Sequence, residues 1–192
     1  MSNVSGPSEG PVAVTGAAGF VGAHLVKNLV EHGYAVRACV RDTAREDKMA
    51  YLIKIAEAGP GSVDFFSCDL YKADRGEYDE AFAGCSAVFH VAADIGSDAA
   101  TYGKITPLKM YEGIVDMTAA ILESCRKTGT VKRIIYTSSV AAILGRGSPD
   151  RAADHIFNED DWCGGTYETL EELSLIHISE PTRPLYISYA VF

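Results

Sequence analysis

Short apolar runs alternate along most of this chain with longer stretches in which apolar residues recur every three or four positions. Val12-Ala13-Val14 is followed by Val21, Leu25, Val26, Leu29 and Val30, one face of a helix that Gly33 ends. Residues 34–40 form the next short apolar run, so the first forty residues predict a strand, a helix and a second strand. A helix over 46–58 stops at Gly59-Pro60-Gly61, a third strand covers 62–67, a short helix lies around 78–83, and a fourth strand covers 87–91. Thr106-Pro107 reads as an N-cap with proline at the first helical position. Leu108, Tyr111, Val115, Thr118, Leu122 and Cys125 then carry one helical face to Gly129. Residues 131–136, rich in β-branched side chains, predict a fifth strand. Strands alternating with helices in this way predict an α/β fold built on a doubly wound parallel sheet.

The joint between the first strand and the first helix carries the strongest chemical signal. In Thr15-Gly16-Ala17-Ala18-Gly19-Phe20-Val21-Gly22, Gly16 lets the chain leave the strand in a tight turn, Gly19 leaves bare backbone for a diphosphate, and Gly22 lets the helix pack closely. Unpaired N–H groups and the positive end of the helix dipole stabilise an anion there without a basic side chain. The second predicted strand ends at Arg41, with Arg45 and Lys48 soon after, where such a fold presents the adenosine ribose. A guanidinium at that place suits a 2′-phosphate, and a carboxylate suits a 2′-hydroxyl. Asp42 lies one residue past Arg41, so the pattern favours NADP and leaves NAD as the alternative; a solvated helix start is the plainer reading of the three cations.

Later strand ends add candidates of the same kind. Asp69, after the third strand, is placed either to accept from an adenine amino group or to form a turn. Ala92 and Ala93 are small enough for a cofactor to pass, and His90 reads as a packed strand histidine, since no second ligand lies at metal spacing. Thr137-Ser138-Ser139 reaches the carboxyl edge of the sheet, where ligands bind in open parallel sheets; hydroxyls there orient a carbonyl or cap a helix.

Composition narrows the class. The 192 residues carry a formal net charge of -9, with 47% hydrophobic and 22% charged residues, which fits one globular domain and argues against nucleic acid or an anionic membrane as partner. The opening residues lack the basic flank and apolar core of a signal peptide, so the expected compartment is the cytoplasm. Five widely spaced cysteines without a C-x-x-C predict reduced, buried thiols.

The order of these motifs, with Val40-Arg41-Asp42, Cys68-Asp69-Leu70, Val88-Phe89-His90-Val91-Ala92 and Asn158-Glu159-Asp160-Asp161-Trp162, resembles the extended short-chain dehydrogenase/reductase family, in its dihydroflavonol reductase and cinnamoyl-CoA reductase branch. The resemblance covers roughly residues 11–165. It implies a Rossmann-type sheet, NADPH, reduction of a carbonyl or thioester of a small molecule, and a homodimer in the full-length protein. By motif, Gly16, Gly19, Phe20 and Val21 would hold the diphosphate, and Arg41 and Lys48 the 2′-phosphate. Asp69 and Leu70 would flank adenine, Ala92 and Ala93 the ribose, and Ser138 the nicotinamide, with Ser139 as the catalytic serine. Sugar-nucleotide epimerases of the same family usually carry Asn three residues before the glycine of the long central helix. Here Met110 precedes Gly113 at that spacing, which leans toward a reductase.

The family's chemistry also uses a Tyr and a Lys four residues apart, with the Tyr as general acid. The tyrosines after Ser139 are Tyr167, Tyr186 and Tyr189, and no lysine follows Lys132. From about Ser174 the sequence resembles the translation of a short-read library adapter. The expected division is therefore a polar segment over 1–10, a partial NAD(P)-binding Rossmann domain over 11–173 and a non-native tail over 174–192. On that division the sheet would be incomplete at the C-terminus, lacking its sixth strand and leaving an open edge.

Overall fold

Extended segments of four to six residues line up side by side, and the first five are joined in chain order by helical segments. In the computed structural model, which describes residues 6–93, 107–139, 142, 155–158, 161 and 187–190, a 3₁₀ turn (Pro7–Glu9) leads into β1 (Val12–Thr15), α1 (Phe20–Glu31) and β2 (Ala35–Val40). Next come α2 (Glu46–Ala56), β3 (Ser62–Ser67), a 3₁₀ turn (Leu70–Arg75), α3 (Asp79–Phe82) and β4 (Ala87–His90). Then follow α4 (Pro107–Thr128), β5 (Arg133–Thr137) and β6 (Ile187–Ala190). The sheet order is β3-β2-β1-β4-β5-β6, and every neighbouring pair is parallel. The chain therefore winds outward from the centre in both directions, with the switch point between β1 and β4.

Each strand sends alternate residues to opposite faces, and the two faces have separate cores. Val12, Val14, Val36 and Val40 pack with Val26 and Val30 of α1 and Leu52 of α2. Ala13, Cys39, Val88 and Ile134 pack on the other side with Tyr78, Phe82 and the α4 residues Ile121 and Cys125. Among the described residues no helix is long and apolar enough to cross a membrane. Cys39, Cys68, Cys85 and Cys125 are buried and free, as the sequence predicts. A hydrogen bond with Cys68 and burial hold the Cys39 thiol well above its ordinary range, and burial pushes Cys85 to about 11 and Cys125 to about 12. Thr106, Cys163 and Tyr167 lie outside the described residues.

The sheet's far edge corrects one expectation. A sixth strand was expected to be missing, yet β6 lies within the stretch set apart as a tail and pairs with β5, from Ile134 opposite Ile187 to Thr137 opposite Ala190. The physical reason lies in β5 itself. Its outer edge presents unpaired N–H and C=O groups, and a run such as Ile187-Ser188-Tyr189-Ala190, with β-branched and aromatic residues, is suited to extended pairing. The pairing follows from the edge as much as from the origin of the segment.

One cation holds a helix too short to stand alone. Arg37 projects from β2, its guanidinium lying 5.6 Å from the centre of the Phe66 ring. Its Nη1 donates to the carbonyls of Glu80, Ala81 and Ala83 at 3.1, 3.1 and 2.5 Å. These carbonyls close the C-terminal end of α3, which a four-residue helix cannot satisfy internally. Asp79 ties the other end to α4, accepting from Ser124 Oγ at 2.6 Å and pairing with Lys127 Nζ at 3.4 Å. Arg37→Met, which keeps the stem over Phe66 but removes the donors, is expected to lower unfolding stability by about 1–2 kcal/mol, measured as a lower urea midpoint with an unchanged slope. An unchanged midpoint would show that α3 needs no cap from β2.

Candidate cofactor site

The three glycines of the first turn have distinct roles. Gly16 adopts φ +67°, and a Cβ there would lie 2.9 Å from both Cα and N of Ala92, at the end of β4. A Cβ on Gly22 would strike the carbonyl of Gly16. Both positions are closed to side chains by packing within the chain. Gly19 is exposed, and a Cβ there would press on Gly16 O at 3.2 Å, so its backbone reaches the surface without a side chain over it.

Gly19 is the N-cap of α1, and no side chain caps that end. Ala23 N–H donates to Gly19 O at 2.9 Å, which leaves the amides of the first turn pointing outward. No acidic residue occupies that turn, and Phe20 is 82% exposed with Val21 exposed beside it. An uncapped twelve-residue helix opening on a bare glycine turn fits an anionic diphosphate. Ala17 N–H, donating to Cys39 O at 3.1 Å, ties the turn to the end of β2.

Beyond β2 the sequence left two neighbours competing for the ribose position, and they now differ. Asp42 Oδ1 accepts from Ala44 N–H at 2.9 Å, so this carboxylate closes its own loop. Arg45 is forked onto Asp47, with Nε and Nη2 at 3.0 and 2.7 Å from its carboxylate oxygens. Arg41 and Lys48 are exposed and form no ion pair among the described residues. At the end of β3, Asp69 takes the turn role, accepting from Tyr71 N–H at 3.1 Å. Leu70 packs partly against the α3–α4 core. Ser138 and Ser139 leave β5 at the same edge, where Ser139 is exposed and its carbonyl accepts from Ala142 N–H at 2.9 Å.

Below this edge lies a row of side chains that the sequence did not connect. Thr15, His90 and Tyr136 are register partners on β1, β4 and β5, facing the α4 side. Thr15 Oγ1 lies 2.8 Å from His90 Nδ1 and accepts from the amides of Val91 and Ala92 at 3.1 Å each. The Tyr136 ring is 5.3 Å from the His90 ring. His90 is a packed strand histidine, as expected, and is 3% exposed. No pattern in the sequence signalled its bond to Thr15: both residues stand at the last position of their strands in the structure, whereas the fourth strand was expected to run to residue 91.

A parallel sheet in this order, with a glycine turn opening α1 at the switch point, is a Rossmann-type nucleotide-binding fold. The model of the NAD dependent epimerase/dehydratase family matches residues 12–161, and the chain belongs to that family. It is similar to a dihydroflavonol 4-reductase of barley (Hordeum vulgare), 39% identical over 163 residues that cover 83% of this chain and 42% of the relative. It thus spans less than half the length of that protein. Among solved structures it resembles vestitone reductase from alfalfa (Medicago sativa), at 27% identity and TM-score 0.57, covering 87% of this chain and 50% of that one. Yeast methylglyoxal/isovaleraldehyde reductase Gre2 complexed with NADPH shares the fold, at 23% identity and TM-score 0.66, covering 88% and 50%.

Burial without a charged partner makes His90 an acid-sensitive element. Desolvation pushes its pKa from 6.5 down to about 4. Between those values the unfolded chain binds a proton that the folded chain refuses, so the stability His90 confers is complete above pH 6.5 and falls as pH drops toward 4. The difference, at ~1.4 kcal/mol per pH unit, amounts to about 3 kcal/mol. Urea unfolding at pH 7 and pH 4.5 should show a smaller loss in His90→Asn than in the parent. Equal losses would remove His90 from the acid response.

Proposed function

We propose that this chain is the cofactor-binding half of an NADPH-dependent oxidoreductase that delivers hydride to a carbonyl or thioester of a small, phenolic-type molecule. The observation that carries the reading is the division of labour after β2. Asp42 is turned onto Ala44 N–H, while Arg41 and Lys48 make no ion pair among the described residues. A 2′-phosphate is the ligand that two such cations suit, because a guanidinium forms paired, charge-assisted hydrogen bonds to phosphate oxygens.

In this reading Gly16, Gly19, Phe20 and Val21 hold the diphosphate through backbone amides and the positive end of α1. Arg41 and Lys48 take the 2′-phosphate. Asp69 and Leu70 border adenine, Ala92 and Ala93 the ribose, and Ser138 the nicotinamide. Bound NADPH supplies the hydride. Ser139, exposed at the carboxyl edge, orients the substrate carbonyl by a hydrogen bond. The Tyr-x-x-x-Lys pair that would donate the proton is not found in this sequence. The chain as it stands therefore binds NADPH without turnover. The full-length protein would act in the cytoplasm, as a homodimer, on a small-molecule substrate. The names of the barley and alfalfa relatives, both reductases, support the reaction class. The yeast structure, described as a complex with NADPH, supports the cofactor.

Arg41→Ala is expected to weaken NADPH binding by about tenfold or more, the worth of one charge-assisted hydrogen-bond pair, and to leave NADH binding unchanged. Calorimetric titration of the parent and the variant with both cofactors checks this. Equal loss for both would shift the assignment to NAD and to an epimerase or dehydratase.

A further inference from the structure

We propose that His90 is a positioning residue of the dinucleotide site: its Nδ1 takes the hydroxyl proton of Thr15 and thereby commits both Thr15 lone pairs to the amides of Val91 and Ala92. The proposal rests on the reading that the glycine turn holds a dinucleotide.

The assignment follows from counting donors and acceptors. Thr15 Oγ1 has three polar neighbours, at 2.8 Å from His90 Nδ1 and 3.1 Å from each of the two amide nitrogens. A hydroxyl has one proton and two lone pairs, and a backbone amide can only donate. Both lone pairs are therefore used by Val91 and Ala92, and the one proton points at Nδ1. The imidazole must then be unprotonated at Nδ1 and carry its proton at Nε2. Burial disfavours the charged ring, so the imidazole is neutral. Thr15 is fully buried, so bulk solvent does not reach its hydroxyl in the parent.

The consequence falls on the site. The register between β1 and β4 ends at the Thr15–His90 pair, and the next two amides of the chain both donate to Thr15 Oγ1. Thr15 collects both and draws the end of β4 across the top of β1, where Ala92 occupies the space a Cβ on Gly16 would need. The spacing between the glycine turn and Ala92 is thus set by a hydroxyl whose orientation His90 determines. The Tyr136 ring, on the neighbouring strand, packs against the imidazole from the other side. An apolar residue of similar size would keep the packing and lose the acceptor.

The test measures NADPH affinity by calorimetry for the parent, His90→Leu, His90→Asn, Thr15→Val and the Thr15→Val/His90→Leu double variant, with thermal unfolding run in parallel. His90→Leu and Thr15→Val are each expected to weaken binding roughly tenfold, the double variant no more than either single one, and His90→Asn within about twofold of the parent, because an amide oxygen can stand where Nδ1 stood. Equal weakening in His90→Leu and His90→Asn, or multiplied losses in the double variant, would overturn the proposal and leave His90 a packing residue. Should His90→Leu fail to fold, Thr15→Ser against Thr15→Val carries the comparison, with binding retained only by the hydroxyl. Nitrogen NMR of the imidazole gives an independent reading, and a protonated Nδ1 in the neutral ring would sink the assignment. Failure of the parent itself to bind NADPH or NADH would overturn the dinucleotide reading, and this proposal with it; binding by the parent with no rescue by Asn overturns this proposal alone.

Discussion

Gly16 has no side chain, and Ala92 stands where one would be. Much of the candidate site depends on that exclusion. It lets the turn after β1 and the end of β4 meet at the switch point of the sheet, and it directs α1 to begin with its amides facing the shared edge. Gly22 repeats the constraint one helical turn later, against the backbone of Gly16 itself. Two positions are thus reserved for glycine by the chain's own packing, and Gly19 is left as the glycine whose bare backbone is turned outward.

The charges around that edge are sorted by the loops that carry them. The acidic residues nearest the end of β2 are engaged locally, Asp42 with a backbone amide and Asp47 with Arg45. A chain with net charge -9 can still present a cationic patch when its carboxylates are committed elsewhere. Local pairing, not overall charge, decides what the adenosine end of the site offers a ligand.

The fold was largely legible because its signals are local. Period-two strands, period-four helices and the glycine turn each follow from a few adjacent residues, and the strand positions agree to within a residue or two. The site was legible only where position along the chain determines direction. Arg41 and Asp42 could not be ranked from sequence, because the rotation of one loop decides which of them faces outward. Asp69 was suited equally to a turn or to adenine, and its bond to Tyr71 N–H is a fact of geometry. The Thr15–His90 bond joins residues 75 positions apart through the register of two strands, which no local pattern encodes. β6 was missed for a different reason: pairing at an open edge depends on the edge being available, and propensity within the segment says little about that.

The buried thiols bear on how the folded chain meets its chemical surroundings. Cys39, Cys68, Cys85 and Cys125 all belong to the core on the α3–α4 side of the sheet, and the pKa values of Cys39, Cys85 and Cys125 are raised. A thiol that stays protonated and shielded is a poor nucleophile, so Cys39, Cys85 and Cys125 behave as hydrocarbon while the fold is closed. Alkylating reagents and peroxides would reach them only when α3 and α4 lift from the sheet. That side of the protein therefore carries its own clock, in which the rate of thiol modification counts openings of the α3–α4 layer and is indifferent to fraying elsewhere.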